Sequence, residues 1–205
     1  MNTFRKHLRT FFTSLKSGAG FTLIELIVVV GILAVISGIT LTSYSKFGGQ
    51  ILLRNLAYDV ALSVRQAQVY GISARSFFGS QFTSGHGVYF NLLEGNNQFF
   101  LYADVDGNNF FTNIATEWIE TYAIGRGYTI DRLCVPSGMA SEDCTAAKLD
   151  ILFKRPEPDA IIRASFGSAF NQYDRARIVV RSPQGNRLSI FVETTGQISV
   201  QRYEE

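Results

Sequence analysis

The chain has 205 residues, 46% of them apolar, with 19 basic against 17 acidic side chains, two cysteines and two histidines. That length accommodates one domain of ordinary size beside a terminal segment and requires no second domain. So few histidines and cysteines leave little for a four-ligand zinc site, since only His7 and His86 could supplement Cys134 and Cys144.

Residues 1–20 contain Arg5, Lys6, Arg9 and Lys16 and no acidic residue. The apolar run FTLIELIVVVGILAVISGITL follows over 21–41, carrying a single ionisable side chain, Glu25. As a helix it covers about 31 Å, one bilayer hydrocarbon core. The basic flank then faces the cytoplasm and everything after Leu41 faces outward. A carboxylate within such a run costs about 2.5–3.5 kcal/mol at mid-membrane depth, so Glu25 needs a partner. A cut between Gly20 and Phe21 would create one, an α-amino group one helical turn away.

These residues resemble the type IV pilin-like signal, in which a prepilin peptidase cuts after a glycine and methylates the new N-terminus. The resemblance is carried by Gly20, Phe21, the polar Thr22, the Leu23-Ile24 pair, Glu25 and the long apolar helix. It implies a leader peptide over 1–20, a methylated Phe21 and a bacterial inner-membrane protein that passes the membrane once. A conventional secretory signal fits less well, because its cleavage site follows the apolar region instead of preceding it. Losing the leader's four basic residues leaves 15 basic against 17 acidic, near −2, so the sequence pI of 8.6 belongs largely to the leader and does not indicate nucleic-acid binding.

The helix is expected to continue over 21–75. Leu52, Leu56, Val60, Val64 and Ala67 recur near one face while Arg54, Asp59 and Arg65 point elsewhere, and Gly71 marks a plausible end. Gly31 and Gly38 suit close helix packing in a membrane, and the Gly48-Gly49 pair is the expected weak point. Similar proteins often carry a proline in this central region, where this chain has Thr42.

From Phe77 the periodicity changes to strands, and 76–205 reads as a β-rich domain. His86–Glu94 and Asn97–Val105 flank the turn signal Gly95-Asn96 and predict a hairpin; further strands are expected at Glu117–Ala123, Lys148–Lys154, Ala160–Phe166, Arg175–Arg181, Arg187–Glu193 and Gln197–Arg202. A long helix followed only by strands predicts an α+β fold, the helix covering an antiparallel sheet. Three stretches, 59–75, 99–109 and 177–200, resemble the GspH/FimT group of minor pseudopilins and minor pilins. That resemblance implies a structural subunit of a type II secretion pseudopilus or type IV pilus, with other pilins or pseudopilins as partners and no enzymatic role.

Asp104, Asp106, Asn108 and Asn109, with Glu117 downstream, gather oxygen donors suited to Ca²⁺, although glycine at the fourth position and Ala115 at the twelfth exclude an EF-hand register. A solvated turn is the preferred reading, with no cofactor required. Cys134 and Cys144 lie in a segment expected to be extracytoplasmic, where a disulfide closing so short a loop contributes roughly 3 kcal/mol; two buried thiols are the alternative. No G-x-S-x-G, H-E-x-x-H or phosphate-binding loop occurs, and His86 alone defines no triad. Arg175, Arg177, Arg181, Arg187 and Arg202 could form a stripe for DNA, as in a DNA-uptake minor pilin. Exposed strand faces normally carry charge, however, and Asp174, Glu193, Glu204 and Glu205 dilute the field, so solvated surface is favoured over nucleic acid as a partner.

Overall fold

The computed structural model describes residues 20–73, 85–136, 141–167 and 169–204. Residues 1–19 of the expected leader, with His7, lie outside these, as do Ser137 and Gly138 of the expected loop between the cysteines. The layout is α+β: one helix, α1 (Leu23–Ile72), and eleven strands among the described residues. The chain divides into two units, Met1–Lys46 and Phe47–Glu205, and α1 contributes to both.

In the first unit α1 opens on a capping residue. The Thr22 hydroxyl accepts the amide of Glu25 at 3.3 Å, and the Thr22 carbonyl accepts the amide of Leu26 at 3.1 Å. T-x-x-E is a capping-box pattern, which is why the helix begins at Leu23 rather than at Phe21. The stretch Leu23–Leu41 is long and apolar enough to cross a membrane, and none of it is buried within the chain.

The second unit contains the last part of α1 and all the strands. Leu53, Ala57, Val60, Val64 and Ala67 are buried, while Leu52 and Leu56 are only partly so. The core-facing stripe is therefore displaced by one residue over its first turns from the expected Leu52–Leu56 register. Arg54, Asp59 and Arg65 are exposed as expected. Helical structure is unbroken at Gly48-Gly49, and the Gly49 carbonyl accepts the Tyr128 hydroxyl at 3.0 Å. At the other end, the Gln68 amide donates to the carbonyls of Pro158 (3.1 Å) and Gly196 (3.3 Å), pinning the helix to two loops of the β-domain.

One sheet runs β3-β2-β1-β6-β7-β8, formed by β1 (Gly85–Asn91), β2 (Gln98–Asp104), β3 (Trp118–Ala123), β6 (Lys148–Phe153), β7 (Ala160–Ser165) and β8 (Phe170–Tyr173). The other runs β11-β10-β9-β4-β5, formed by β4 (Thr129–Pro136), β5 (Glu142–Ala146), β9 (Arg175–Arg181), β10 (Arg187–Glu193) and β11 (Ile198–Arg202). Every pairing is antiparallel. The expected first hairpin forms, with β1 ending at Asn91 rather than Glu94 and Gly95 holding a φ of 149° in the connection. Strands β4, β5 and β8 had no counterpart among the expected ones.

Alternate residues of both sheets meet the helix in one core that includes Val88, Phe90, Leu101, Ile151, Ile162, Ile178, Val180 and Ile190. A second apolar cluster lies on the opposite face of the six-stranded sheet: Tyr89, Phe100, Tyr102 and Leu152, with Phe111, Ile161 and Phe170 against it. The loop between β2 and β3 supplies its cover. Phe111 packs on Tyr89 at 4.9 Å and on Tyr102 at 5.4 Å, and Phe110 stacks on Phe170 at 5.6 Å between ring centroids.

Candidate functional site

Gly20 and Phe21 precede the helix in exposed chain outside any helix or strand. Nothing lies within 4 Å of where a Cβ on Gly20 would stand, and Phe21 is 74% exposed. The backbone at Gly20 is accessible, and the absence of a side chain permits close approach there. Glu25 is also exposed, at the third helical position. There its carboxylate lies beside the first-turn helix N–H groups and about one turn from Phe21. Around it, Leu23, Ile24, Leu26 and Ile27 each expose more than half of their surface. This end of the chain presents an apolar surface with one acid and, after a cut, one amine.

A second concentration of chemistry occupies the ends of β2 and β3 and the loop that joins them. Asp104, Asp106 and Glu117 each place a carboxylate oxygen within 4.8 Å of the others. Asp104 and Glu117 are 1% exposed, and Asp106 faces solvent. Antiparallel pairing brings this about, since the Ala103 amide donates to the Glu117 carbonyl at 2.8 Å. One oxygen of each buried acid is held by backbone: Asp104 Oδ2 accepts from Asn109 at 3.2 Å, and Glu117 Oε2 accepts from Thr112 at 2.7 Å and Asn113 at 3.3 Å. Burial raises both carboxyls above their ordinary values, partly offset by those backbone amides. Asn108, a weak calcium candidate in a segment read as a solvated turn, is engaged within the loop. Its side-chain amide donates to Asp106 and Thr112 while its Oδ1 accepts from the Phe110 amide, so it braces the loop.

Asp150, which sequence reasoning did not single out, lies under this loop. Its two oxygens accept from the Tyr102 hydroxyl and from the Phe111 amide, the latter at 2.7 Å. Tyr102 is on β2 and Asp150 on β6, with β1 between them. The ring crosses at Gly87, where an added Cβ would stand 2.6 Å from it and 2.7 Å from the Ile151 carbonyl. Burial pushes the Asp150 carboxyl up to about 7 and, with that acid beside it, raises the Tyr102 hydroxyl well above its ordinary value. The only sequence signal was an aspartate inside the otherwise apolar strand LDILF.

Cys134 on β4 and Cys144 on β5 are joined by a disulfide, beside an irregularity in the β4–β5 ladder between Leu133 and Val135. Glu142 stands close to both sulfurs, yet a disulfide offers no thiolate to a metal. Glu142 binds arginines instead, Arg175 at 3.0 Å and Arg177 at 2.7 Å. Asp131 likewise takes Arg187 at 2.7 Å and Arg181 at 3.5 Å. The guanidinium groups of Arg175 and Arg177 lie over Phe191, and Arg187 lies over Tyr203. Four of the five stripe arginines are thus engaged within the domain, leaving a surface of mixed sign where a nucleic-acid phosphate would want free cations.

A family model described as the prokaryotic N-terminal methylation motif matches residues 15–41. No curated protein and no solved structure gives a match. The matched segment contains Gly20, Phe21, the Thr22 cap, Glu25 and the apolar stretch to Leu41. It supports a type IV pilin-like protein, is consistent with a membrane anchor at the apolar stretch Leu23–Leu41, and implies processing by a prepilin peptidase and assembly with other pilins.

Proposed function

We propose that this chain is a minor structural subunit of a type II secretion pseudopilus or type IV pilus, of the GspH/FimT kind, cut after Gly20 and methylated at Phe21. The single observation that supports the pilin-like part of this reading is the methylation motif, placed on a capped helix whose apolar stretch Leu23–Leu41 is uncovered. The work of such a subunit is assembly, with no catalytic step. Leaving the bilayer for a filament, the helix exchanges lipid for the helices of neighbouring subunits. Glu25 of an incoming subunit then pairs with the Phe21 amine of a neighbour and fixes axial register, because either charge left unpaired in apolar surroundings opposes packing. The β-domain, outside the inner membrane, forms the exposed part of the subunit.

Processing is the direct test. In cells containing a prepilin peptidase, N-terminal sequencing and intact-mass measurement should find a mature chain beginning with methylated Phe21. Gly20→Leu should leave the precursor uncut. A mature chain that retains residues 16–20, or begins beyond the apolar stretch, would remove the basis of this reading.

A further inference from the structure

We propose that Asp104, Asp106 and Glu117 form a binding site for a hard divalent cation, specifically Ca²⁺, a site independent of the processing motif and of the assembly role. Three carboxylate oxygens converge within 4.8 Å of one another. Oxygens on opposite sides of one Ca²⁺, each at 2.3–2.6 Å, stand about 4.6–5.2 Å apart, so the three fit around a single ion. The second observation is the state of the two buried acids. Asp104 Oδ1 and Glu117 Oε1 are both shielded from solvent and have no hydrogen-bond partner, although each acid's other oxygen is fixed by backbone amides. Buried polar atoms are almost always satisfied, and two orphaned carboxylate oxygens beside a third acid mark the place of a missing positive charge.

No arginine or lysine fills that role: among the described residues none of the three acids is in an ion pair. Lys154 acts on Asp104 only through its field, and Arg163 donates instead to the Asn108 carbonyl at 3.2 Å. The donor set is entirely oxygen, which selects Ca²⁺ or Mg²⁺ over zinc or copper. Mg²⁺ requires a tighter octahedron at 2.0–2.1 Å and gives up its water reluctantly, whereas Ca²⁺ accepts irregular carboxylate clusters. Asp106, the exposed member, gives the ion its route from solvent, and water completes its coordination. A bound ion would tie the end of β2 to the start of β3 and clamp the loop whose Phe110 and Phe111 cover the outer apolar cluster.

The test uses the full chain in detergent, stripped with chelator and titrated with Ca²⁺ or Mg²⁺ while thermal unfolding is followed by circular dichroism and binding by calorimetry. One Ca²⁺ should bind, and at about 100-fold excess over half-saturation Tm should rise by about 5–10 °C, with a smaller response to equal Mg²⁺. Asp104→Asn and Glu117→Gln keep an acceptor for the loop amides, so each should fold without metal at least as stably as wild type and should lose the Ca²⁺ shift. Asp106→Asn, at the exposed position, should bind at least about tenfold more weakly, and it serves as the test if the buried variants do not fold. Absence of Ca²⁺ binding by wild type, an undiminished shift in these variants, or an equal response to Mg²⁺ would overturn the proposal.

Discussion

Asp150 shows how one buried side chain can set a pH dependence. Its oxygens accept from Tyr102 and from the Phe111 amide, both of which favour the charged form, and Arg163 acts in the same direction. Burial outweighs them, with Asp104 adding repulsion, and the carboxyl rises from 3.8 to about 7. The folded state therefore holds this proton more tightly than the unfolded chain does. The resulting stability is complete below about pH 4 and is lost as pH rises through about 7. Asp150→Asn does not titrate, so the stability of wild type minus that of the variant should decline between pH 4 and pH 7, measured by urea unfolding in chelator. A difference that stays flat across that window would mean that burial does not govern the group. The same residue shows where sequence reading stops. Gly20, Phe21 and Glu25 fall within one six-residue stretch of a motif that the family model matches over 15–41, so the motif is legible in local sequence. Asp150 acquires its environment only through the register of three strands, with Gly87 opening a passage for Tyr102.

At the level of elements, helical periodicity located the helix, and aromatic and β-branched runs between turn signals located eight strands, although β1, β2 and β6 are buried along nearly their whole length and show no alternation between core and surface. β4, TIDRLCVP, has its alternation broken by a register shift against β9 between Ile130 and Arg132, and another against β5 between Leu133 and Val135. β5 is short and polar, EDCTA, and β8 is four residues at a sheet edge, so neither carries enough pattern to be seen locally. Their places come from partners: β4 pairs with β9, and the disulfide fastens β5 to β4. Gly71 provides a test of helix against sheet. It is buried in the last turn of α1, and an added Cβ would lie well inside contact distance of the Phe153 carbonyl, which belongs to strand backbone and cannot swing aside. Glycine to alanine within a helix ordinarily gains up to ~1 kcal/mol. Here overpacking should reverse the sign, and Gly71→Ala should lose about 1–3 kcal/mol in chemical denaturation. A neutral or stabilising result would show that the helix end does not rest on β6 as described.

For the molecule as a whole, the methylation motif lies on the apolar N-terminal stretch and the buried polar clusters lie in the β-domain. In the β-domain Arg175 and Arg177 are taken up by Glu142, and Arg187 by Asp131, whereas Leu23–Leu41 has no cover within the chain. A stretch with that much exposed apolar surface needs either lipid or other helices. The proposed subunit uses both in turn, and Glu25 is the group that distinguishes them: in the membrane it is a cost, and in the filament it has a partner. The measurement that tests this most directly follows Glu25→Leu in cells carrying the rest of the assembly machinery, scoring membrane insertion, cleavage after Gly20 and incorporation into filaments. The variant should insert and be cleaved as wild type is, since Gly20 is untouched and the helix is more apolar. Its incorporation should fall sharply, because the Phe21 amine loses a partner worth about 3–5 kcal/mol when a buried pair is broken. Cleaved Glu25→Leu chains entering filaments at the wild-type level would contradict the account.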